Sequence, residues 1–142
     1  MLVDANILLY AVDEESLFHQ PARAWVEEAL NGPRRVGMPW ACLTAFVRIA
    51  TNPRALRDPF APSEAWALVE AWLDAPVVWT PEPGPSHRSI LGRLIRELDL
   101  RGPIISDAVL AALCIEHGLE MISADTDFAR FPEVPWHNPV AT

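Results

Sequence analysis

Asp4, Asp107 and Asp125 lie far apart in the chain, yet each sits beside a short apolar pattern. Asp4 follows Leu2-Val3, Asp125 comes shortly after Met121-Ile122, and Asp107 stands near the start of a helical repeat running from Ile105 to Ile115. Short apolar pairs of this kind predict buried strands. In an open parallel sheet, sites form beyond the carboxyl ends of the strands, where helix N-termini also point. Acids placed there converge on one pocket. Converging carboxylates repel and raise one another's pKa unless a cation balances them. Their oxygen ligands suit Mg²⁺ or Mn²⁺, and such a centre activates water and stabilises the charge developing on a phosphodiester.

Each acid also has a structural role open to it. Asp107 follows Ser106 in a first helical turn, where the dipole alone favours an acid. Asp125 precedes Thr126 at a turn-to-helix entry and fits a plain N-cap. Asp4 is different, because it lies between apolar pairs on a strand read as buried, where an unpaired carboxylate is costly. The constellation carries more weight than any member.

The elements that must position these acids can be read along the chain. Leu2-Val3 predicts a strand running into a helix that contains Ile7-Leu8-Leu9. A helix follows from Pro21 and ends at Asn31-Gly32-Pro33, then a short strand in 35–39. Leu43, Phe46, Val47 and Ala50 predict a helix stopped at Asn52-Pro53. Trp66, Val69 and Leu73 predict another, with Ser63 as N-cap. Val77-Val78-Trp79 is a strand, Leu91 to Leu98 a helix, and Ile105 to Ile115 a helix ended by His117-Gly118. Met121-Ile122 and Val134 to His137 give the last strands, on either side of a short segment from Asp125 to Phe131. Alternation of short strands with helices indicates an α/β fold with a short, mainly parallel central sheet. With 142 residues and no repeat, linker or low-complexity stretch, the chain reads as a single domain, 1–142.

Composition narrows the chemistry. A net charge of -8 argues against sequence-blind binding of nucleic acid through a broad basic surface. All 11 basic residues are arginines. Without lysine there is no Walker A motif, no Schiff base and no lysine general base. Receiver domains and haloacid-dehalogenase-type phosphatases also place a lysine beside their acidic pocket, and the latter need an aspartate where Asn6 stands. No apolar run reaches the roughly 20 residues of a membrane span, and no basic leader precedes Asp4, so the expected location is the cytoplasm. Cys42 and Cys114 sit inside apolar helical patterns and read as buried free thiols. The four histidines form no ligand pair and read as surface or capping residues.

Three segments carry a resemblance. Asp4-Ala5-Asn6-Ile7-Leu8-Leu9-Tyr10-Ala11, Asp107-Ala108 through Ala111-Ala112-Leu113, and Ser123-Ala124-Asp125-Thr126-Asp127-Phe128 resemble the conserved segments of PIN-domain nucleases. Phe46-Val47-Arg48-Ile49-Ala50-Thr51-Asn52-Pro53 and Phe128-Ala129-Arg130-Phe131 resemble more narrowly the VapC toxins of bacterial toxin–antitoxin pairs, in a subgroup abundant in mycobacteria and other high-GC bacteria. The resemblance spans essentially the whole chain. It implies a three-layer α/β/α PIN-like fold and an endoribonuclease requiring Mg²⁺ or Mn²⁺. It further implies silencing by a VapB-like antitoxin and a homodimer. By the same resemblance Asp4 and Asp107 are the principal metal ligands, Asp125 completes the site, and Asn6 orients the carboxylates; a helix-cap role for Asn6 is equally open. Asp127 reads as a solvated first-turn acid, with a supplementary ligand role as the alternative.

One departure stands out. Many PIN nucleases carry a glutamate in the helix before the arginine that matches Arg48, and the corresponding residue here is read as Ala45. Arg48 lies one turn from Ala45 on the same face. It is therefore read as entering the pocket, to pair with Asp4 or Asp107 or to grip a substrate phosphate, against an ordinary structural ion pair. The missing acid also opens a second reading: a catalytically impaired PIN-like module acting through protein or RNA contacts.

Overall fold

The computed structural model describes residues 1–141. Five two-residue strands form an entirely parallel sheet: β1 (Leu2–Val3), β2 (Val36–Gly37), β3 (Val78–Trp79), β4 (Met121–Ile122) and β5 (Trp136–His137), in the order β3-β2-β1-β4-β5. Six α-helices connect them: α1 (Ala5–Val12), α2 (His19–Leu30), α3 (Trp40–Ala50), α4 (Pro62–Asp74), α5 (His87–Glu97) and α6 (Ile104–His117). A 3₁₀ helix over Thr126–Arg130 joins β4 towards β5. Sequence reading expected a mainly parallel sheet; the described strands are parallel without exception.

Strand alternation creates the three layers. Val3, Val36 and Ile122 join one cluster with residues of α1 to α4, whereas Leu2 and Met121 join a second with α5, α6 and the 3₁₀ helix. Neighbouring residues of a strand point to opposite faces, so two residues suffice to contact both layers. Phe46 and Phe128 anchor these two clusters and are fully buried. Full burial of a side chain of that size contributes roughly 1.5–3 kcal/mol.

Helix boundaries follow local chemistry. Helix α2 begins at His19, two residues before Pro21, because proline is tolerated in a first turn where no intrahelical N–H is needed. Helix α4 begins at Pro62 rather than after Ser63 as N-cap. Proline at the first position presets φ, and the Glu64 side chain accepts the Ala61 N–H at 3.0 Å. Helix α6 ends on Gly118 at φ 67°, a left-handed conformation that releases the chain into β4. His19 is buried, not superficial: its Nδ1 lies 2.9 Å from the Tyr10 carbonyl and ties α2 to α1. Both cysteines are free and buried. No described helix is long and apolar enough to cross a membrane.

Candidate metal centre

The sheet order reverses at β1. The chain runs outward from β1 to β2 and β3, then returns to lay β4 and β5 on the other side of β1. The crevice at such a reversal is open at the carboxyl ends of the two central strands. Asp4 leaves β1 there, and Ser123 and Asp125 leave β4 there.

Asp4 is half-buried and caps α1: one carboxylate oxygen accepts the Ala5 N–H at 2.8 Å. Its other oxygen accepts the Ser123 hydroxyl at 2.8 Å and the Asn6 amide at 3.4 Å. Ser123 is fully buried and acts as a hub, because its Oγ also accepts the Asn6 amide at 3.2 Å and the Asp125 N–H at 3.0 Å. Asn6 closes the circuit by accepting the Ala124 N–H at 3.2 Å. The β1–α1 corner is thereby pinned to the end of β4 by this side-chain circuit, beside the backbone bond from the Asp4 N–H to the Ile122 carbonyl at 2.9 Å. Asn6 sits in the first turn of α1; the cap is Asp4.

Asp107, in the first turn of α6, meets Asp125 and Asp127, and one carboxylate oxygen from each lies within 4.8 Å of the others. Asp125 also caps the 3₁₀ helix, accepting the Asp127 N–H at 2.9 Å. The trio therefore includes Asp127, read from sequence mainly as a solvated acid. It is exposed, and it is also a first-turn residue of the 3₁₀ helix. Asp4 stands outside the trio by distance but couples to it electrically. Burial, then the charges of Asp125, Asp4 and Asp127, push the Asp107 carboxyl up to about 6. Burial also raises the Asp4 carboxyl, with Asp125 adding to the rise while the bonds from Ser123 and Ala5 oppose it.

The donors fit a hard divalent cation. Oxygen ligands converge, their repulsion is uncompensated, and none of the described arginines forms a salt bridge with them. Arg48 in particular is exposed in the last turn of α3 and makes no salt bridge with any described carboxylate. Its expected pairing with Asp4 or Asp107 is absent, because residues 40, 44 and 48 form the outward stripe of α3. Helix α3 brings no carboxylate at all: its sequence is Trp-Ala-Cys-Leu-Thr-Ala-Phe-Val-Arg-Ile-Ala. Ala45 is half-buried against the core. The α3 side chain closest in effect to Asp4 is Cys42, one turn earlier. Burial, followed by the Asp4 charge, holds its thiol well above the usual range, so it is a protonated, apolar neighbour.

Ser123 is a functional residue that the sequence does not single out, although it opens the Ser123 to Phe128 segment. The available signal was a lone polar residue directly after the apolar pair Met121-Ile122, on the side of β4 where Asp125 follows.

Comparison with known proteins agrees with this architecture. The family model for the PIN domain matches residues 1–134. Over 140 residues the chain is 41% identical to ribonuclease VapC37 of Mycobacterium tuberculosis, covering 99% of this chain and 97% of that protein. It is 39% identical to ribonuclease VapC33 of the same species, covering 99% and 98%. Among solved structures, VapBC2 of Rickettsia felis bound to a promoter DNA fragment superposes with a TM-score of 0.70 at 13% identity, covering 96% of each chain. VapBC-1 of nontypeable Haemophilus influenzae gives 0.70 at 14% identity, covering 99% and 98%. The structural likeness at such low identity establishes shared fold, and the family match together with the sequence relatives establishes descent: the chain belongs to the PIN-domain family.

Proposed function

We propose that this protein is a divalent-metal-dependent endoribonuclease, the VapC-type toxin of a toxin–antitoxin pair. The observation that carries the reading is the convergence of Asp107, Asp125 and Asp127 at the sheet's switch point, beside an Asp4 held by Ser123 and Asn6. Its relatives' names, ribonucleases VapC37 and VapC33, supply the substrate class. Mg²⁺ or Mn²⁺ fits the oxygen donors of Asp4, Asp107, Asp125 and Asp127. When bound, the cation supplies Lewis acidity at the phosphodiester and lowers the pKa of water.

The chain's own residues set the stage for that chemistry. Ser123 and Asn6 fix the rotamer of Asp4, so its carboxylate needs no reorganisation when a cation or phosphate arrives. Burial, then the charges of Asp125, Asp4 and Asp127, push the Asp107 carboxyl up, so Asp107 is the acid whose charge a bound cation would most relieve. Arg48, unpaired and exposed, is available to a substrate phosphate. The partner is a VapB-like antitoxin protein, the assembly a homodimer of toxin, and the location the cytoplasm. Structures similar in fold are VapBC complexes.

Purified protein incubated with structured RNA should cut it in Mg²⁺ or Mn²⁺ and not in chelator. If cleavage is absent at every metal concentration, the second reading takes over: a PIN-like binding module that has lost turnover. The absence of any α3 carboxylate is the observation that favours it.

A further inference from the structure

The opposite edge of the sheet carries a second cavity. It has a volume of about 490 Å³ and is lined by Met1, Arg34, Arg35, Trp79, His117 and Leu119. Arg34 and Arg35 directly precede β2, while His117 ends α6, so the cavity opens at the amino ends of the strands. Among the described residues no carboxylate lines it, whereas four other cavities each present at least one glutamate. In a chain of net charge -8, this is a local reversal of sign.

Three observations show that the cations are not simply absorbed by structure. Arg35 forms no salt bridge with a described residue; its guanidinium lies over the Trp79 ring at 4.1 Å from the centroid. Arg34 has one carboxylate partner, Glu120 at 3.6 Å, and both are exposed enough for water to compete. A guanidinium offers five N–H donors, so most of theirs remain free. The indole Nε1 of Trp79 is buried and has no hydrogen-bond partner among the described residues. An orphaned buried donor is costly unless a ligand or water satisfies it. His117 packs edge-on to the same indole at 5.4 Å, and its Nε2 donates to the Glu82 carbonyl at 2.7 Å, which fixes the ring in place. Nearby Glu116 turns away from the cavity, because the Gly84 and Ser86 N–H groups hold its carboxylate at 2.9 Å each.

We propose that this cavity is a nucleotide-phosphate site, with Arg34 and Arg35 taking phosphate oxygens and the Arg35–Trp79 stack backing a base. Planar guanidinium forks match phosphate bidentately, and guanidinium and aromatic planes both stack on bases. The ligand is either a segment of an RNA strand reaching round from the carboxyl edge or a free nucleotide; the chemistry is shared. The strand arm rests on the ribonuclease reading, whereas the free-nucleotide arm does not, since the cavity shares no residue with the aspartate cluster.

Binding of a 5′-labelled oligoribonucleotide, measured by fluorescence polarisation in chelator, reads the site without cleavage. The double variant Arg34→Gln/Arg35→Gln should weaken binding about tenfold and lower the log–log salt slope by roughly 1.4, the share of two phosphate contacts on a single strand. Arg35→Lys, which keeps charge and loses the planar stack, should fall between. Melting curves matching the parent protein show that the variants fold. Competition by adenosine monophosphate identifies a free nucleotide as a ligand; no competition, with the Arg34/Arg35 dependence retained, identifies the strand. Unchanged oligonucleotide binding and salt slope in the double variant, with no competition by the monophosphate, would overturn the proposal.

Discussion

The two ends of one short sheet have opposite electrostatic characters. At the carboxyl edge, Asp107, Asp125 and Asp127 gather, with Asp4 coupled to them by charge, and no described arginine bridges any of the four. At the amino edge, Arg34 and Arg35 gather with a histidine and a tryptophan and no carboxylate in the cavity wall. The strands between them are two residues long, so both edges are supplied by the same handful of chain reversals. The difference lies in how each edge is held. The acidic edge is locked by a side-chain circuit through Ser123 and Asn6 and stores like-charge repulsion. The basic edge is held by ring packing and leaves its charges in water. A centre that must bind a small cation in one geometry benefits from the first design; a surface that meets a flexible anion benefits from the second.

The contrast is easiest to break at its acidic end. Asp107→Asn should reduce RNA cleavage by about a hundredfold or more, the scale of removing a charge-stabilising group from an active site. The same change should raise the melting temperature of the metal-free protein, because it removes a carboxylate whose charged form is disfavoured first by burial and then by its acidic neighbours. A joint measurement of cleavage and melting tests both directions; a variant that is inactive and less stable would point to misfolding instead of a lost ligand.

Next in size is the circuit that orients the acids. Ser123→Ala removes the donor to Asp4 and the acceptor for Asn6 and Asp125, and should cost roughly 10- to 100-fold in metal affinity, as expected of groups that orient ligands. Titration with Mn²⁺ followed by calorimetry gives the value directly. A smaller loss than that from Asn6→Ala would move the hub from Ser123 to Asn6.

The effect of pH sharpens the comparison further. Asp107 is raised in the folded chain from its ordinary 3.8 to about 6. Its contribution to stability is therefore complete below its unfolded value and is lost as pH rises through about 6. Metal-free protein should melt higher at pH 5 than the same group would allow at pH 7. A bound cation needs the ionised form, so Mg²⁺ affinity should climb over the same interval and level off above it. Melting curves at several pH values, with and without Mg²⁺, should thus diverge; parallel curves would disconnect Asp107 from the cation.

The smallest effect belongs to Arg48. It bridges no acid, so Arg48→Gln should leave the melting curve unchanged while raising the KM for RNA several-fold without lowering kcat. A drop in kcat instead would place Arg48 among groups that act on the transition state.

Much of this architecture was legible in the sequence because the signals were local. Leu2-Val3 and Met121-Ile122 announced strands by abrupt apolar pairs, and Gly118 announced the end of α6. The aspartates could be grouped because each stood beside such an element. What was not legible was distance-dependent. Asp127 joins the trio only because the 3₁₀ helix turns it back towards Asp107, and no periodicity encodes that turn. Arg48 failed to reach the acids because its stripe of α3 faces outward, while Cys42 one and a half turns earlier faces in. A shared helical face between residues 45 and 48 did not say which way that face points. Ser63 lost its capping role because Pro62 starts the helix and leaves the cap position to Ala61, a competition between two adjacent local signals.

The brevity of the strands also determines where the chain tolerates edits. β1 is registered against β4 by Leu2 opposite Met121 and Val3 opposite Ile122. One residue inserted between Val3 and Asp4, or between Ile122 and Ser123, would rotate everything downstream to the wrong layer or carry the acid about 3.4 Å past its partners. By contrast, Glu14, Glu15 and Leu17 are exposed in the turn between α1 and α2, and belong neither to the aspartate cluster nor to the lining of the Arg34–Arg35 cavity. Epitope tags, fluorophores or affinity handles belong in that turn, and a scan of single-residue insertions along the gene should return a map whose blank stretches outline the site.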